Sequence, residues 1–254
     1  MVHQYQNTYD NMYHMTTESI LPLIDHLHEI NPGDIVQLPD FAIYPVELIK
    51  KILPNNIEIQ LVKSNATIQN KVPSYLSTQS LYPKVRQLCS KLLEYIPKKD
   101  IAKPSIYMSF RLHNRVWRPL DNIQKLVNCL KDRYTIVLSL NPIWEKITDV
   151  PNIDNVIKVY NLSYEEQLSY AYSTDYSIHM LGAGMIFPLI VNLPSVVLAP
   201  CECSINYPIG PYFHNNENII TLSDKRIVKE WNCDVVKVSV DNVLTAFEKL
   251  AGKK

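Results

Sequence analysis

The chain has 254 residues, 46% hydrophobic and 20% charged, with 25 Lys and Arg balanced by 25 Asp and Glu. This length fits one large domain or two small ones, and a formal net charge of zero gives no reason to expect nucleic acid as a partner. No apolar run reaches about 18 residues, so we expect no membrane span. The polar amino terminus is unlike a signal peptide. The five cysteines lack zinc-site spacing and indicate reduced thiols in a soluble, cytoplasmic protein.

The first hundred residues alternate helical and strand patterns. Apolar spacing predicts a helix over 14–30, and strands are expected at 35–38 and 57–62, on either side of a helix over 44–53. A further helix over 82–96 leads into PKKDIAKP (97–104), a charged segment closed by prolines that is typical of a linker. We therefore predict a domain boundary at this segment, with a first domain over residues 1–100.

The remainder, residues 101–254, repeats the alternation. Strand and helix patterns lead to the stretch 155–200, which is predicted to form a βαβαβ unit, and parallel strands in such units bind ligands at their carboxyl ends. A last helix is expected over 241–250, and it could pack back on the first domain. The predicted fold class is α/β, with two Rossmann-like domains facing across a cleft.

One turn in the βαβαβ stretch concentrates glycine. Two of the five glycines lie in Leu181-Gly182-Ala183-Gly184, and glycine is needed where a backbone approaches something closely or takes positive φ. A phosphate or diphosphate on the bare N–H groups at a helix start would explain the pattern. His179 precedes the turn; it could donate to such a group or be satisfied by a backbone carbonyl.

An arginine-rich loop follows the strand that opens the second domain. Arg111, Arg115 and Arg118 lie just beyond the strand end, where a doubly wound sheet binds ligands. Guanidinium groups match phosphate oxygens, so the loop indicates anion binding, with a solvated surface loop as the alternative.

Two further polar clusters carry candidate chemistry. Glu166 lies in the first turn of a helix beside Asn161, where its carboxylate could accept from ribose hydroxyls or cap the helix. His14 and Glu18 are four residues apart on one helix face, near Asn11. They could act as a general base across the cleft, or form an exposed pair. No Asp-X-Asp pair is present to hold a divalent metal, and motifs of kinases, α/β-hydrolases and zincins are missing.

Three segments in order resemble glycosyltransferase family 61, whose members have the two-domain GT-B architecture. These segments are NMYHMTTESILP from Asn11, IYMSFR ending at Arg111 with Arg115 beyond it, and LSYEEQ ending at Gln167 followed by HMLGAG ending at Gly184. In the family the histidine directly precedes Gly-Ala-Gly, whereas here Leu181 takes that place. This shift favours the turn backbone over His179 for the diphosphate contact.

The resemblance implies a compact bacterial or viral enzyme that moves a sugar from a UDP-sugar to a hydroxyl of a glycan or glycoconjugate acceptor, with inversion and without a metal or other cofactor. Xylose is the first candidate sugar. His14 or Glu18 would be the base and Asn11 would bind the acceptor in the first domain. The second domain would bind the donor through Arg111, Arg115, Asn161, Glu166, His179, Gly182, Ala183 and Gly184.

Two other functions fit the same pattern. A polysaccharide pyruvyl transferase would also use a strand-end arginine and a Gly-rich turn, with phosphoenolpyruvate as its donor. A non-catalytic glycan-binding protein would tolerate the displaced histidine.

Overall fold

The computed structural model describes residues 1–5, 12–40, 45–62, 82–111, 116–140, 153–159, 162–200, 216–223 and 235–252. These residues form an α/β fold with parallel sheets. In the first half of the chain, strands β1 (Val2–Gln4), β2 (Ile35–Pro39) and β3 (Glu58–Val62) form a parallel sheet in the order β1-β2-β3.

The helices of the first half include one that is not uniformly α-helical. It begins as α1 (Met12–Met15), continues as a π-helical segment (Thr16–Ile20) and ends as α2 (Leu21–Asp25), before a short 3₁₀ turn (Leu27–Glu29). The predicted single helix over 14–30 is therefore wrong in its internal geometry, because apolar spacing does not distinguish an α-turn from a wider π-turn. Helices α3 (Val46–Ile52) and α4 (Tyr82–Leu93) follow.

The second half contains a larger parallel sheet. Its strands are β4 (Ser105–Ser109), β6 (Thr135–Ser139), β7 (Ile157–Lys158), β8 (Tyr176–Met180), β9 (Ser195–Ala199) and β10 (Ile219–Ser223). They lie in the order β10-β9-β8-β4-β6-β7. Two short strands, β5 (Val116–Trp117) and β11 (Val235–Val236), pair in a separate parallel ribbon.

The strand order places a reversal beside β4. The chain adds β6 and β7 on one side of β4, then returns to add β8, β9 and β10 on the other. Helices α5 (Asp121–Leu130), α6 (Tyr164–Tyr172) and α7 (Ile186–Val191) lie in the connections. The point where the order reverses, between β4 and β8, is where open α/β sheets bind ligands.

The last helix, α8 (Val240–Ala251), packs on the larger sheet and on α5. Its amino terminus is capped by Ser239, whose Oγ accepts from the amide of Asn242 at 3.2 Å. Its apolar side chains, among them Phe247, share a core with Met108 and α5. The expectation that this helix could pack back on the first domain is not met, because its buried face matches the apolar face of the larger sheet.

The opposite face of the larger sheet joins a core that continues into the first half of the chain. This core unites Tyr107 and Val197 of the sheet with residues of α2, α4, α6, α7 and β2. Polar contacts cross the same boundary: Arg86 Nη1 donates to the Leu189 carbonyl at 2.7 Å, and Lys51 Nζ lies 2.5 Å from Glu165 Oε1.

Among the described residues, no helix is both long and apolar enough to cross a membrane.

Candidate functional site

The carboxyl ends of β4 and β8 meet at the reversal of strand order. Ser109 of β4 is in register with His179 of β8. Side chains alternate across the sheet, so Ser109 and Arg111 share the face that carries His179. The two strand ends thus bring the predicted arginine and the glycine turn to one place.

The glycine turn packs closely against β4. After Leu181, residues Ala183–Met185 form a 3₁₀ turn that leads into α7. A Cβ on Gly182 would lie 3.2 Å from Nη1 of Arg111, and one on Gly184 would lie 2.6 Å from Oγ of Ser109. Neither glycine has positive φ. Of the two expected reasons for glycine, the structure therefore shows close approach, and the neighbours are the side chains of Arg111 and Ser109.

Arg111 is half-buried and lies across Gly182. Arg118 of the predicted anion loop is not placed with it. Arg118 is exposed at the end of β5, and its amide donates to the Val236 carbonyl at 3.2 Å. Arg115 lies outside the described residues. Of the two arginines of the predicted loop that the structure describes, Arg111 is therefore the one at the strand ends.

Helix α1 lies beside the same turn, with Cα atoms of the two elements within 8 Å. Nδ1 of His14 is 2.5 Å from Oε1 of Glu18, and their side chains are 23% and 7% exposed, respectively. The pair predicted on one helix face is thus formed, and it spans the start of the π-helical segment. Asn11 lies outside the described residues.

Glu166 is bound within its own helix terminus. Its Oε2 accepts from the amide and the hydroxyl of Ser163, and its amide donates to Ser163 Oγ, which makes a reciprocal capping box. The Ser163 hydroxyl, then the Ser163 amide, lower the pKa of Glu166. Of the two predicted roles the structure shows the cap. Asn161, the predicted neighbour, lies outside the described residues.

Gln167 ties α6 to the end of β6. It is fully buried, its Oε1 accepts from Ser139 Oγ at 3.2 Å, and its Nε2 donates to the Leu162 carbonyl at 3.0 Å. This contact positions the start of α6 relative to the sheet.

His179 is completely buried on β8. Its Nδ1 is 3.1 Å from Ser177 Oγ, a side chain rather than the backbone carbonyl of the alternative prediction. Burial lowers the pKa of His179 to about 3. Because its ring does not reach the surface, the structure gives no support for a direct donor contact, and we leave His179 out of the proposed site.

Ser109 is a site residue that was not predicted from the sequence. It is 9% exposed and lies between the turn and the body of the sheet. The available signal was the alternation of side chains along β4, which puts Ser109 and Arg111 on one face.

A surface cleft of about 530 Å³ lies at the other end of the sheet. It is lined by residues at the amino-terminal ends of β4, β6 and β7, including Lys103, Arg133 and Asn155. Lys103 is bound to Asp175 at 3.2 Å and Arg133 to Glu248 at 3.5 Å. The reversal of strand order favours the carboxyl ends instead, so we place the candidate site there.

The architecture is that of the GT-B glycosyltransferases, which confirms the predicted α/β fold of two Rossmann-like domains. The chain matches no protein-family model and no curated protein sequence.

Its similarity is to solved structures. TibC, an iron-containing dodecameric glycosyltransferase from enterotoxigenic E. coli H10407, matches with TM-score 0.59 and 10% identity, over 99% of this chain and 76% of that one. TibC has also been solved as a heptosyltransferase with ADP-D-beta-D-heptose, matching with TM-score 0.57 and 9% identity over the same shares. A family 9 glycosyltransferase from Veillonella parvula DSM 2008 matches with TM-score 0.54 and 12% identity, over 100% of this chain and 97% of that one.

These similarities establish the fold alone, because sequence identities of 9–12% do not identify a substrate. They support GT-B architecture in general and do not single out family 61. Among the described residues, no three or more His, Cys, Asp or Glu side chains are grouped so that they could hold a metal ion.

Proposed function

We propose that this protein is an inverting glycosyltransferase that moves a sugar from a nucleotide-sugar donor to a hydroxyl of a glycan acceptor. One observation carries the proposal: Arg111, the turn at Gly182 and the helix with His14 and Glu18 converge at the reversal of strand order. The site thus brings together a guanidinium that can bind an anion, a closely packed backbone turn and a candidate base.

Arg111 is the proposed partner of the donor diphosphate. A guanidinium binds phosphate oxygens through two parallel N–H bonds and neutralises the negative charge that grows as the sugar–phosphate bond breaks. The amides of Gly182, Ala183 and Gly184 would add donors. Helix α7 has only six residues, so the proposal relies on the guanidinium rather than on a helix dipole.

His14 is the proposed general base, with Glu18 as its positioning residue. A carboxylate that accepts from Nδ1–H holds the imidazole in the tautomer whose Nε2 can take a proton. The acceptor hydroxyl would give its proton to Nε2, and its oxygen would attack the anomeric carbon as the bond to the diphosphate breaks. A single displacement inverts that carbon. The choice of His14 over Glu18 follows from its greater exposure.

The donor nucleotide is proposed from the family 61 resemblance as UDP, with xylose as the first candidate sugar. ADP-heptose, the ligand in the TibC complex, is the second candidate. On the same basis, Arg115, Asn161 and Glu166 are proposed to contact the donor and Asn11 the acceptor. No cofactor enters this proposal.

The deciding experiment is calorimetric binding of UDP, ADP, GDP, CMP and phosphoenolpyruvate to the wild type, R111A and R133A. We expect one nucleoside diphosphate to bind, R111A to lose about 1.5–3 kcal/mol of binding free energy, and R133A, which removes the same charge at the far end of the sheet, to bind normally. Equal affinity in R111A would overturn the assignment. Binding of phosphoenolpyruvate alone would favour a pyruvyl transferase, and glycan binding without transfer would favour a non-catalytic protein.

A further inference from the structure

Tyr164, the first residue of α6, makes buried contacts with two other parts of the proposed site. Its hydroxyl is 2.8 Å from Oγ1 of Thr16 in the first half of the chain. Its ring packs edge-on against Phe187 of α7, with ring centroids 5.2 Å apart. The Tyr164 side chain is 1% exposed and that of Thr16 is 0% exposed. One tyrosine therefore touches both the helix that carries the candidate base and the helix that follows the glycine turn.

Thr16 lies between His14 and Glu18 in the sequence, at the start of the π-helical segment. Residues two apart in a helix lie on different sides of it. Thr16 is therefore directed away from the side on which Nδ1 of His14 meets Oε1 of Glu18 at 2.5 Å. The contact with Tyr164 thus holds this helix from the side opposite to the pair.

The π-helical segment makes the geometry of the pair sensitive to its surroundings. All five residues, Thr16–Ile20, are buried, although four of them are polar. Such wide turns are rare inside helices and are frequent at functional sites. A hydrogen bond weakens steeply as its angle departs from the optimum, so a small movement of this segment would change the contact between His14 and Glu18.

We propose that Tyr164 is a positioning residue for sugar transfer: its hydroxyl, through Thr16, holds the helix in the position that presents His14 and Glu18 beside the glycine turn. The inference rests on the proposed function, in which His14 is the general base. Loss of the hydroxyl should lower the rate of the chemical step and leave nucleotide binding unchanged, because Y164F retains the ring that packs on Phe187.

Turnover and nucleotide affinity of Y164F, T16V and T16S test the proposal. Y164F and T16V each remove one partner of the contact, and turnover should fall about 10-fold, within the 10²-fold that a misplacement of about 1 Å can cost. Nucleotide affinity should not change. T16S keeps the hydroxyl and should stay close to the wild-type rate. Wild-type turnover in both Y164F and T16V would overturn the inference.

T174V is the matched control for T16V. Thr174 is also buried, and its hydroxyl donates to the Ala171 carbonyl at 2.9 Å, just beyond the other end of α6. T174V should lose stability, as T16V does, but keep the wild-type rate. A loss of rate in T174V equal to that in T16V would show that any lost buried hydroxyl slows the enzyme, and would overturn the specific role of Tyr164.

The H14A background separates positioning of the base from a general loss of structure. If Tyr164 acts by placing His14, adding Y164F to H14A should leave the residual rate unchanged. A further loss of about 10-fold in the double variant would overturn the inference, because the hydroxyl would then act independently of the base. Full activity in H14A would overturn the proposed base and this inference with it, whereas slow H14A beside wild-type Y164F would overturn this inference alone.

Proton NMR of the His14 ring gives a readout that does not depend on transfer activity. The Nδ1 proton held between His14 and Glu18 should give a downfield signal, assigned by its loss in H14A. Y164F should shift or broaden this signal, and T174V should leave it unchanged. A signal in Y164F identical to that of the wild type would show that the tyrosine hydroxyl does not position the pair.

Discussion

The Arg111 side chain occupies the space beside Gly182: Nη1 of the arginine lies 3.2 Å, and its Cδ 3.3 Å, from the position that a Cβ on residue 182 would occupy. A side chain at residue 182 would therefore displace the guanidinium. The far end of an arginine moves easily, so the fold should tolerate the displacement better than the binding site does.

We predict that G182A weakens binding of the donor nucleotide by about 1 kcal/mol or more, a part of what a charged hydrogen bond contributes. The free energy of unfolding should change by less than about 1 kcal/mol. The measurement is calorimetric affinity in a double-mutant cycle with R111A, which should remove most of the effect of G182A. Additive losses in the double mutant would show that residue 182 acts independently of the arginine.

A side chain at Gly184 would clash with Ser109, whose short side chain has less freedom to move than an arginine. A Cβ on Gly184 would lie 2.6 Å from Ser109 Oγ but 3.9 Å from Ser109 Cβ. We predict that G184A costs about 1–3 kcal/mol of stability through overpacking and that S109A in the same chain recovers most of this loss, since it removes the oxygen that clashes. Urea denaturation of the two single variants and the double variant checks the prediction. A double variant no more stable than G184A would place the strain elsewhere.

Variants of His14 and Glu18 should change the rate of the chemical step without changing nucleotide binding. H14A should lower turnover by about 10²–10⁴-fold, the usual contribution of a general base, with nucleotide affinity unchanged. E18Q should lose less, because the amide oxygen can still accept from Nδ1–H. H28A is the matched control, since His28 is 74% exposed at its side chain, and it should keep the wild-type rate. Full activity in H14A would show that another residue is the general base.

The order of elements was largely predictable from the sequence, because strands such as 105–109 and 195–199 are compact apolar runs bounded by turns. A short strand was predicted at 235–238, where β11 lies, but β5 and its pairing with β11 were not, since a two-residue strand carries no periodicity. The π-helical segment at Thr16–Ile20 was missed for a related reason: its apolar residues fit an α-helical spacing equally well.

The candidate site was predictable in part. Arg111 and Gly182 each follow a predicted strand, which indicated that they lie at the same edge of the sheet. The spacing of four residues was enough to predict the pair of His14 and Glu18. What the sequence could not provide was the partner of each glycine, because Ser109 and Gly184 are distant in sequence and meet only through strand order. The burial of His179 was equally hidden, since a strand-end position does not reveal which face a helix covers.

The cap at Ser163 should give stability that depends on pH. Its hydroxyl and amide lower the pKa of Glu166 on folding, so the stabilisation is complete above the ordinary value of 4.5 and is lost as pH falls through the folded-state pKa. E166Q keeps an oxygen that can accept from Ser163 but loses the charge at the helix start, so it should cost about 0.3–1 kcal/mol at neutral pH and progressively less in acid. Unfolding free energies measured across this range check the sign. E165Q, which removes the ion pair with Lys51 and the other charge of the first turn but leaves the cap intact, should cost about 0–1 kcal/mol.

The two halves of the chain should unfold together. The hydroxyls of Thr16 and Tyr164 meet at 2.8 Å inside the boundary, both side chains are at most 1% exposed, and one core runs from α2 and α4 into the larger sheet. Two-domain chains often melt in stages, but here separation would expose this shared core. We predict a single calorimetric transition whose van't Hoff and calorimetric enthalpies agree. Y164F should lose about 0.5–1.5 kcal/mol and shift that transition as a whole, whereas a transition that splits in two would show that the shared core does not couple the halves.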